Sequence, residues 1–274
     1  MSILEAVIFG IVQGITEFLP ISSTAHIVIT ELVLGYHFPG LAFEIFLHLA
    51  SATAVCLYFR KELLEIVLGF FAFALRRDET QRVQFYFGLY VITATMITGI
   101  LGLTLKDHIG DSIKTPAVIA SALAVTGLFL VIIERIKTYG NRTRKDMNFL
   151  DALIVGLGQS IAILPGISRS GATLVTALWR GLSRDTAVSY SFILAIPIIL
   201  GSSVLMLGDV NREMWAEIGI VPLAVSFLFS FVFSWAGIVW LFDFLKKSRL
   251  IYFAVYCFVL AALVYVFVDP AVTF

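Results

Sequence analysis

Six apolar runs, near residues 41–59, 84–105, 115–134, 187–207, 219–242 and 250–268, divide this chain, each close to the roughly 20 residues a helix needs to cross a bilayer. Hydrocarbon offers no partner to a backbone N–H or C=O, so a spanning chain must satisfy those groups within helices or a closed barrel. Runs this long and continuous select helices. The expected fold is therefore an all-α, polytopic membrane protein with six spanning helices. Composition agrees, since 14% of residues are charged and 59% hydrophobic, where a soluble domain has about a quarter charged. The 19 basic and 19 acidic residues cancel, and this balance points to no nucleic acid partner.

Two further apolar stretches, 3–34 and 149–180, are interrupted by LPISST and LPGISRSG. Each leaves two halves too short to span, the pattern of a re-entrant helical hairpin. The two stretches are also copies of each other. At an offset of 146, Leu4/Leu150, Glu5/Asp151, Ala6/Ala152, Gly10/Gly156, Gln13/Gln159, Ile15/Ile161, Ile21/Ile167 and Ser22/Ser168 align without a gap. One hairpin plus three spans per copy makes the second copy enter the membrane inverted. The chain thus reads as one membrane domain, 1–274, built from an inverted-topology repeat of 1–140 and 147–274. Its two hairpin tips should meet near the midplane.

Charge placement orients this layout. Fifteen basic residues fall in loops 60–83, 135–146, 180–186 and 243–249, against Lys106, Lys114 and Arg212 on the other face. By the positive-inside rule the first face is cytoplasmic and both termini are outside. The 13-residue run Leu63 to Leu75, flanked by Arg60, Lys61, Arg76 and Arg77, reads as an interfacial helix. Ile3, Leu4 and Glu5 follow Met1 with no basic n-region, so no removable signal peptide is expected. Cys56 and Cys257 each sit alone in an apolar run, as small core residues do.

Arg169 belongs to neither face. It lies in the second tip, PGISRSGAT, with Ser168, Ser170, Gly171 and Thr173, while the first tip, EFLPISSTAH, carries Glu17, Ser22, Ser23, Thr24 and His26. Ionisable groups at such depth are costly and need partners or a task. Gln13 and Glu17 share one helix face. His26 lies four residues after Ser22 and three after Ser23, so its imidazole could approach either hydroxyl as base to nucleophile. Hydroxyls, glycines and a guanidinium on the second tip make a phosphate cradle, and Arg169 calls for an anion such as Glu17 or a ligand phosphate. Taken singly, these residues have structural explanations as caps, close-packing glycines or back-bonded hydroxyls; their concurrence on two related tips argues for function. Glu44 and His48, four residues apart, share a helix face and could line the same cavity behind them. Glu5 and Asp151, beginning their half-helices, are read as structural.

QGITEFLPISSTAH and PGISRSGAT resemble the two signatures of the undecaprenyl-diphosphate phosphatase family of bacitracin resistance, (E/Q)xxxE with PxSSxxH, and PGxSRSxxT. FEIFLHLAS and YSFILAIPIILG extend the likeness over the whole chain. The resemblance implies hydrolysis of undecaprenyl diphosphate to undecaprenyl phosphate and inorganic phosphate. It gives catalytic roles to Glu17, Ser23, His26 and Arg169, and substrate binding to Gln13, Ser22, Thr24, Ser168, Ser170, Gly171 and Thr173. It implies a divalent cation, Mg2+ or Ca2+, at Glu17 with Gln13 as a second ligand. A neutral amide at Gln13 ligates weakly and cannot be a base, which leaves Glu17 the principal carboxylate. The expected partners are the polyprenyl diphosphate lipid and the bilayer of the bacterial plasma membrane, with the site opening to the outer face and a homodimer left open. The alternative from architecture is a secondary transporter or flippase of a polyprenyl phosphate lipid, since such carriers also bind anions at broken helices.

Overall fold

The computed structural model describes residues 1–36, 38, 42–105, 115–135, 140–206, 215–216, 218–247 and 249–269. Its α-helices are α1 (Ile3–Phe18), α2 (Ser23–Leu34), α3 (Ala42–Tyr58), α4 (Arg60–Arg76), α5 (Arg82–Leu105), α6 (Pro116–Arg135), α7 (Phe149–Ile161), α8 (Arg169–Trp179), α9 (Arg184–Met206), α10 (Ile220–Lys247) and α11 (Ile251–Phe267). No strand occurs among the described residues, and the protein is all-α as expected.

Among those residues four stretches are long and apolar enough to cross a membrane: Glu79–Leu105, Pro116–Arg135, Arg184–Leu205 and Ile220–Phe244. α3 and α4 together form a fifth candidate, bent by 76° at the break between them. α11 is apolar but has only 17 residues, about 25 Å of helix. Six crossings therefore require α3 alone and α11 to be counted with the four. α4 covers the expected interfacial run; Ile66, Gly69 and Phe73 are buried, while Leu64, Leu68, Phe71 and Leu75 are exposed. An outward apolar face between basic ends suits a helix lying against lipid. Lys106, Lys114 and Arg212, the expected sparse face, lie outside the described residues.

The copied segments fold as copies. Ser2 and Glu5 form a capping box on α1, and Asn148 and Asp151 form one on α7. Ser22 caps α2 as Ser168 caps α8, each hydroxyl accepting from the N–H three residues on. Neighbours are exchanged correspondingly: α1 packs on α10 and α7 on α5, while α6 meets α11 and α3 meets α9. Asp151 does more than its counterpart Glu5. It is fully buried and accepts from Arg142 at 3.0 and 2.5 Å and from Arg180 Nε at 2.8 Å, which clamps the inter-repeat loop to the second hairpin. In that loop, the backbone N–H and hydroxyl of Thr143 hold the Asp146 carboxyl below its usual range. Arg144 pairs with Glu62 of α4 and lies 4.0 Å over the Phe87 ring.

The most extensive helix–helix contact among the described residues, α1 on α10, positions the first tip. A Cβ at Gly10 would fall 2.6 Å from the Ser226 carbonyl oxygen, and one at Gly14 would fall 2.7 Å from that of Ser230. Glycine at these positions lets α1 lie against the Ser226, Ser230 and Ser234 row of α10, the small-residue packing that membrane helices use in place of a hydrophobic drive. Gln13 and Glu17, on the same helix, are fixed by that contact.

Candidate active site

Pro20 ends α1 because it has no N–H to give, and it holds Leu19 before it extended (φ −71°, ψ 143°). The chain then turns sharply, with Ser22 in a left-handed conformation (φ 70°) that a non-glycine residue adopts at a cost. This strained turn starts α2 at Ser23 and aims its hydroxyl back at α1, where Ser23 Oγ donates to Glu17 Oε2 at 2.7 Å. On the second tip Gly166 takes φ 92°, where a Cβ would also press on Ala122. Ser168 N–H donates to Thr126 Oγ1 at 3.1 Å, so α6 anchors this turn.

The tips are joined twice. Arg169 forms an ion pair with Glu17 Oε1, and Ser170 Oγ donates to the Leu19 carbonyl at 2.9 Å. Glu17, 4% exposed, is the hub: Oε2 also accepts from Gln13 Nε2 at 2.9 Å and lies 3.0 Å from His48 Nε2. A cavity of about 210 Å³ opens beside them, lined by Glu17, Ser22, Ser23, Thr24, Ser168 and Arg169, with Glu44 and His48 from α3.

Several expected site residues take other positions. His26 does not meet Ser23: its Nδ1 donates to the Ser22 carbonyl oxygen at 2.7 Å, and its Nε2 is 2.6 Å from Tyr256 Oη, with the two rings stacked. Spacing allowed an approach to either hydroxyl, but the helical register turns the ring outward to α11. Ser170 joins the tips, Thr173 Oγ1 donates to the Arg169 carbonyl at 3.0 Å, and Gly171 packs against Ser168 and Pro20. None of these three lines the cavity, so the cradle narrows to Ser168 and Arg169. Gln13 sits behind Glu17 and also approaches Ser51 Oγ at 3.4 Å. Cys257 is buried as expected, its Sγ 3.8 Å from the Pro20 carbonyl oxygen, and Cys56 is half-buried.

The side chains do not fit a resident divalent cation at Glu17. Arg169 occupies one carboxylate oxygen, three donors converge on the other, and Gln13 presents its amide nitrogen. The basic groups beside Glu17 are the Arg169 guanidinium on Oε1 and the His48 imidazole on Oε2.

Sequence reasoning missed Tyr256, Thr126 and the Leu19 carbonyl as partners of the tips. Their separations of up to 230 residues leave no local signal. His48 did have one, as a polar residue in register with Glu44 inside an apolar run.

Residues 6–263 match the family model described as bacitracin resistance protein BacA. Undecaprenyl-diphosphatase 2 of Halalkalibacterium halodurans is 59% identical over 274 residues, covering 100% of this chain and 99% of that protein. Undecaprenyl-diphosphatase 1 of Shouchella clausii is 52% identical over 270 residues, 98% of each chain. Undecaprenyl-diphosphatase of Oceanobacillus iheyensis is 36% identical over 268 residues, 97% of each. With both tips lying inside the matched span, the chain belongs to the BacA bacitracin resistance protein family.

Proposed function

We propose that this protein hydrolyses undecaprenyl diphosphate to undecaprenyl phosphate and inorganic phosphate, recycling the carrier lipid of peptidoglycan synthesis in the bacterial plasma membrane. The observation that carries the reading is Ser23 Oγ donating to Glu17 in a cavity where Arg169, from the other tip, meets the same carboxylate. This sets a nucleophile, a proton acceptor and a bidentate cation for phosphate within one shell.

Ser23 Oγ attacks the terminal phosphorus. The Oγ–P bond forms as the bridging P–O bond breaks, and undecaprenyl phosphate leaves. The hydroxyl proton passes to Glu17 Oε2, the acceptor it already faces at 2.7 Å; His26, placed as the base on spacing, fixes the Ser22 backbone instead. Water then attacks the phosphoserine phosphorus: its O–P bond forms as the P–Oγ bond breaks, and Ser23 Oγ takes back the proton held by Glu17. The water's proton passes through Glu17 to solvent or to the departing phosphate, and inorganic phosphate leaves with Glu17 again a carboxylate. Arg169 takes the phosphoryl oxygens with its planar fork, and the free N–H groups at the start of α2, with Ser22, Thr24 and Ser168 beside them, offer further donors. Phosphoryl transfer asks mainly for such positioning and charge. On this reading Mg2+ or Ca2+ enters as the counter-ion of the diphosphate itself, not as a ligand of Glu17.

The matched caps and exchanged helix neighbours support an inverted repeat with its tips at midplane. With the basic loops cytoplasmic, both termini and the mouth of the site lie on the outer face. Phosphate release from undecaprenyl diphosphate by purified protein in detergent, where no second compartment exists, tests the function. Release that vanishes with Ser23→Ala is expected, and no release from well-folded protein would overturn it.

A further inference from the structure

His48 comes from α3, outside both tips, yet its Nε2 reaches the oxygen of Glu17 that also accepts from Ser23. Its other nitrogen, Nδ1, is 2.6 Å from the Glu44 carbonyl oxygen. A carbonyl only accepts, so Nδ1 carries a proton. Glu17 Oε2 is likewise an acceptor to Ser23 and Gln13, so a proton sits on Nε2 as well and the ring is an imidazolium. The buried carboxylate therefore has a cation on each oxygen, Arg169 on Oε1 and His48 on Oε2.

Two cations matter because Arg169 has two partners to serve. In the reading above it grips the substrate phosphate, but here it holds Glu17. Turning to the phosphate means loosening that pair, and a buried charge stripped of its partner is strongly disfavoured. If Arg169 were the sole cation on Glu17, substrate binding would bear that cost. His48 stays behind on Oε2, the oxygen aimed at Ser23, so the departure of Arg169 from Oε1 disturbs neither the charge balance nor the Ser23 contact.

We propose that His48 is a positioning residue that keeps Glu17 partnered and aimed at Ser23 while Arg169 is handed from Glu17 to the incoming phosphate. This rests on the assignment of Ser23, Glu17 and Arg169 above. Its signature is a coupling: His48 should matter to phosphate binding only while residue 17 is a carboxylate.

The test is equilibrium binding of farnesyl diphosphate, a short prenyl diphosphate, to full-length protein in detergent, with Ser23→Ala throughout to block turnover. Adding His48→Leu should weaken binding about tenfold or more. With Glu17→Gln also present there is no carboxylate to strand, and His48→Leu should then change the dissociation constant less than about twofold. His48→Gln, which keeps a donor but not the charge, should weaken binding by an intermediate factor of about threefold. It supports the same comparison if the leucine variant fails to elute as a single species. Equal weakening with and without the Glu17 carboxylate, or no weakening in either, overturns the proposal. Arg169→Ala separates the levels: if it leaves binding unchanged, the underlying site reading fails; if it weakens binding while His48 variants do not, only the hand-off fails.

Discussion

Ser23 Oγ and Glu17 Oε2 lie 2.7 Å apart across the break in the first hairpin. They are six positions apart in the chain, and the path between runs through Pro20 and the left-handed Ser22. The break is therefore what brings the serine hydroxyl against the carboxylate, the contact on which the proposed mechanism rests.

That geometry gives His26 an indirect role. Its Nδ1 fixes the carbonyl of Ser22, and with it the direction of Ser23. His26→Ala should lower kcat by roughly 10–100-fold, the range over which a misplaced reacting group loses rate. His26→Asn, whose amide can donate to the same carbonyl, should recover a good part of that loss. An asparagine variant no better than alanine in phosphate release assays would return His26 to the role of base.

Arg169→Lys keeps the charge but loses the planar fork that can span two oxygens. We expect kcat/KM to fall by about 100-fold with the protein still folded, since bidentate pairing supplies both strength and geometry. Near-normal kcat/KM would mean a point charge suffices.

Gly14→Ala places a methyl group within 2.7 Å of Phe233 Cβ, the Ser230 carbonyl oxygen and the Ser234 nitrogen. Two of these are backbone atoms, so α1 must move from α10 and carry Gln13 and Glu17 with it. A loss of about 1–3 kcal/mol of stability is expected from overpacking, together with reduced turnover. Unchanged thermal unfolding in detergent would show that the α1–α10 contact is looser than described.

Reporter fusions at Thr80 and Asn141 should be cytoplasmic, and one after Asp269 external, if the basic loops set orientation. A cytoplasmic C-terminus would require a different count, with α3 and α4 the pair to re-examine because they are bent by 76° at their junction.

The helices and the broken hairpins were legible because hydrophobic run length and Pro/Gly interruptions are local signals. The repeat is a sequence pattern, and the capping boxes of α1 and α7 recur at its offset of 146. The site was only partly so. The meeting of Glu17 and Arg169 followed from the cost of an unpaired charge in hydrocarbon, but the direction of each side chain did not. Three and four residues from the serines, His26 had the spacing of a base; helix register sent it to Tyr256, 230 positions away, where no short-range pattern reaches. Ser170 and Thr173 read as phosphate ligands from the same list of hydroxyls as Ser168, and only their backbone partners distinguish them. The metal expectation came with the resemblance and not from the residues themselves.

In the proposed mechanism Ser23 carries the phosphoryl group between substrate and water. Rapid acid quench of the full-length enzyme with undecaprenyl diphosphate labelled at the terminal phosphate, followed by peptide mass spectrometry, examines it directly. An acid-stable phosphoserine at Ser23 is expected, forming within a single turnover and absent from Ser23→Ala. Turnover with the label on a histidine, or full activity in Ser23→Ala, would contradict it.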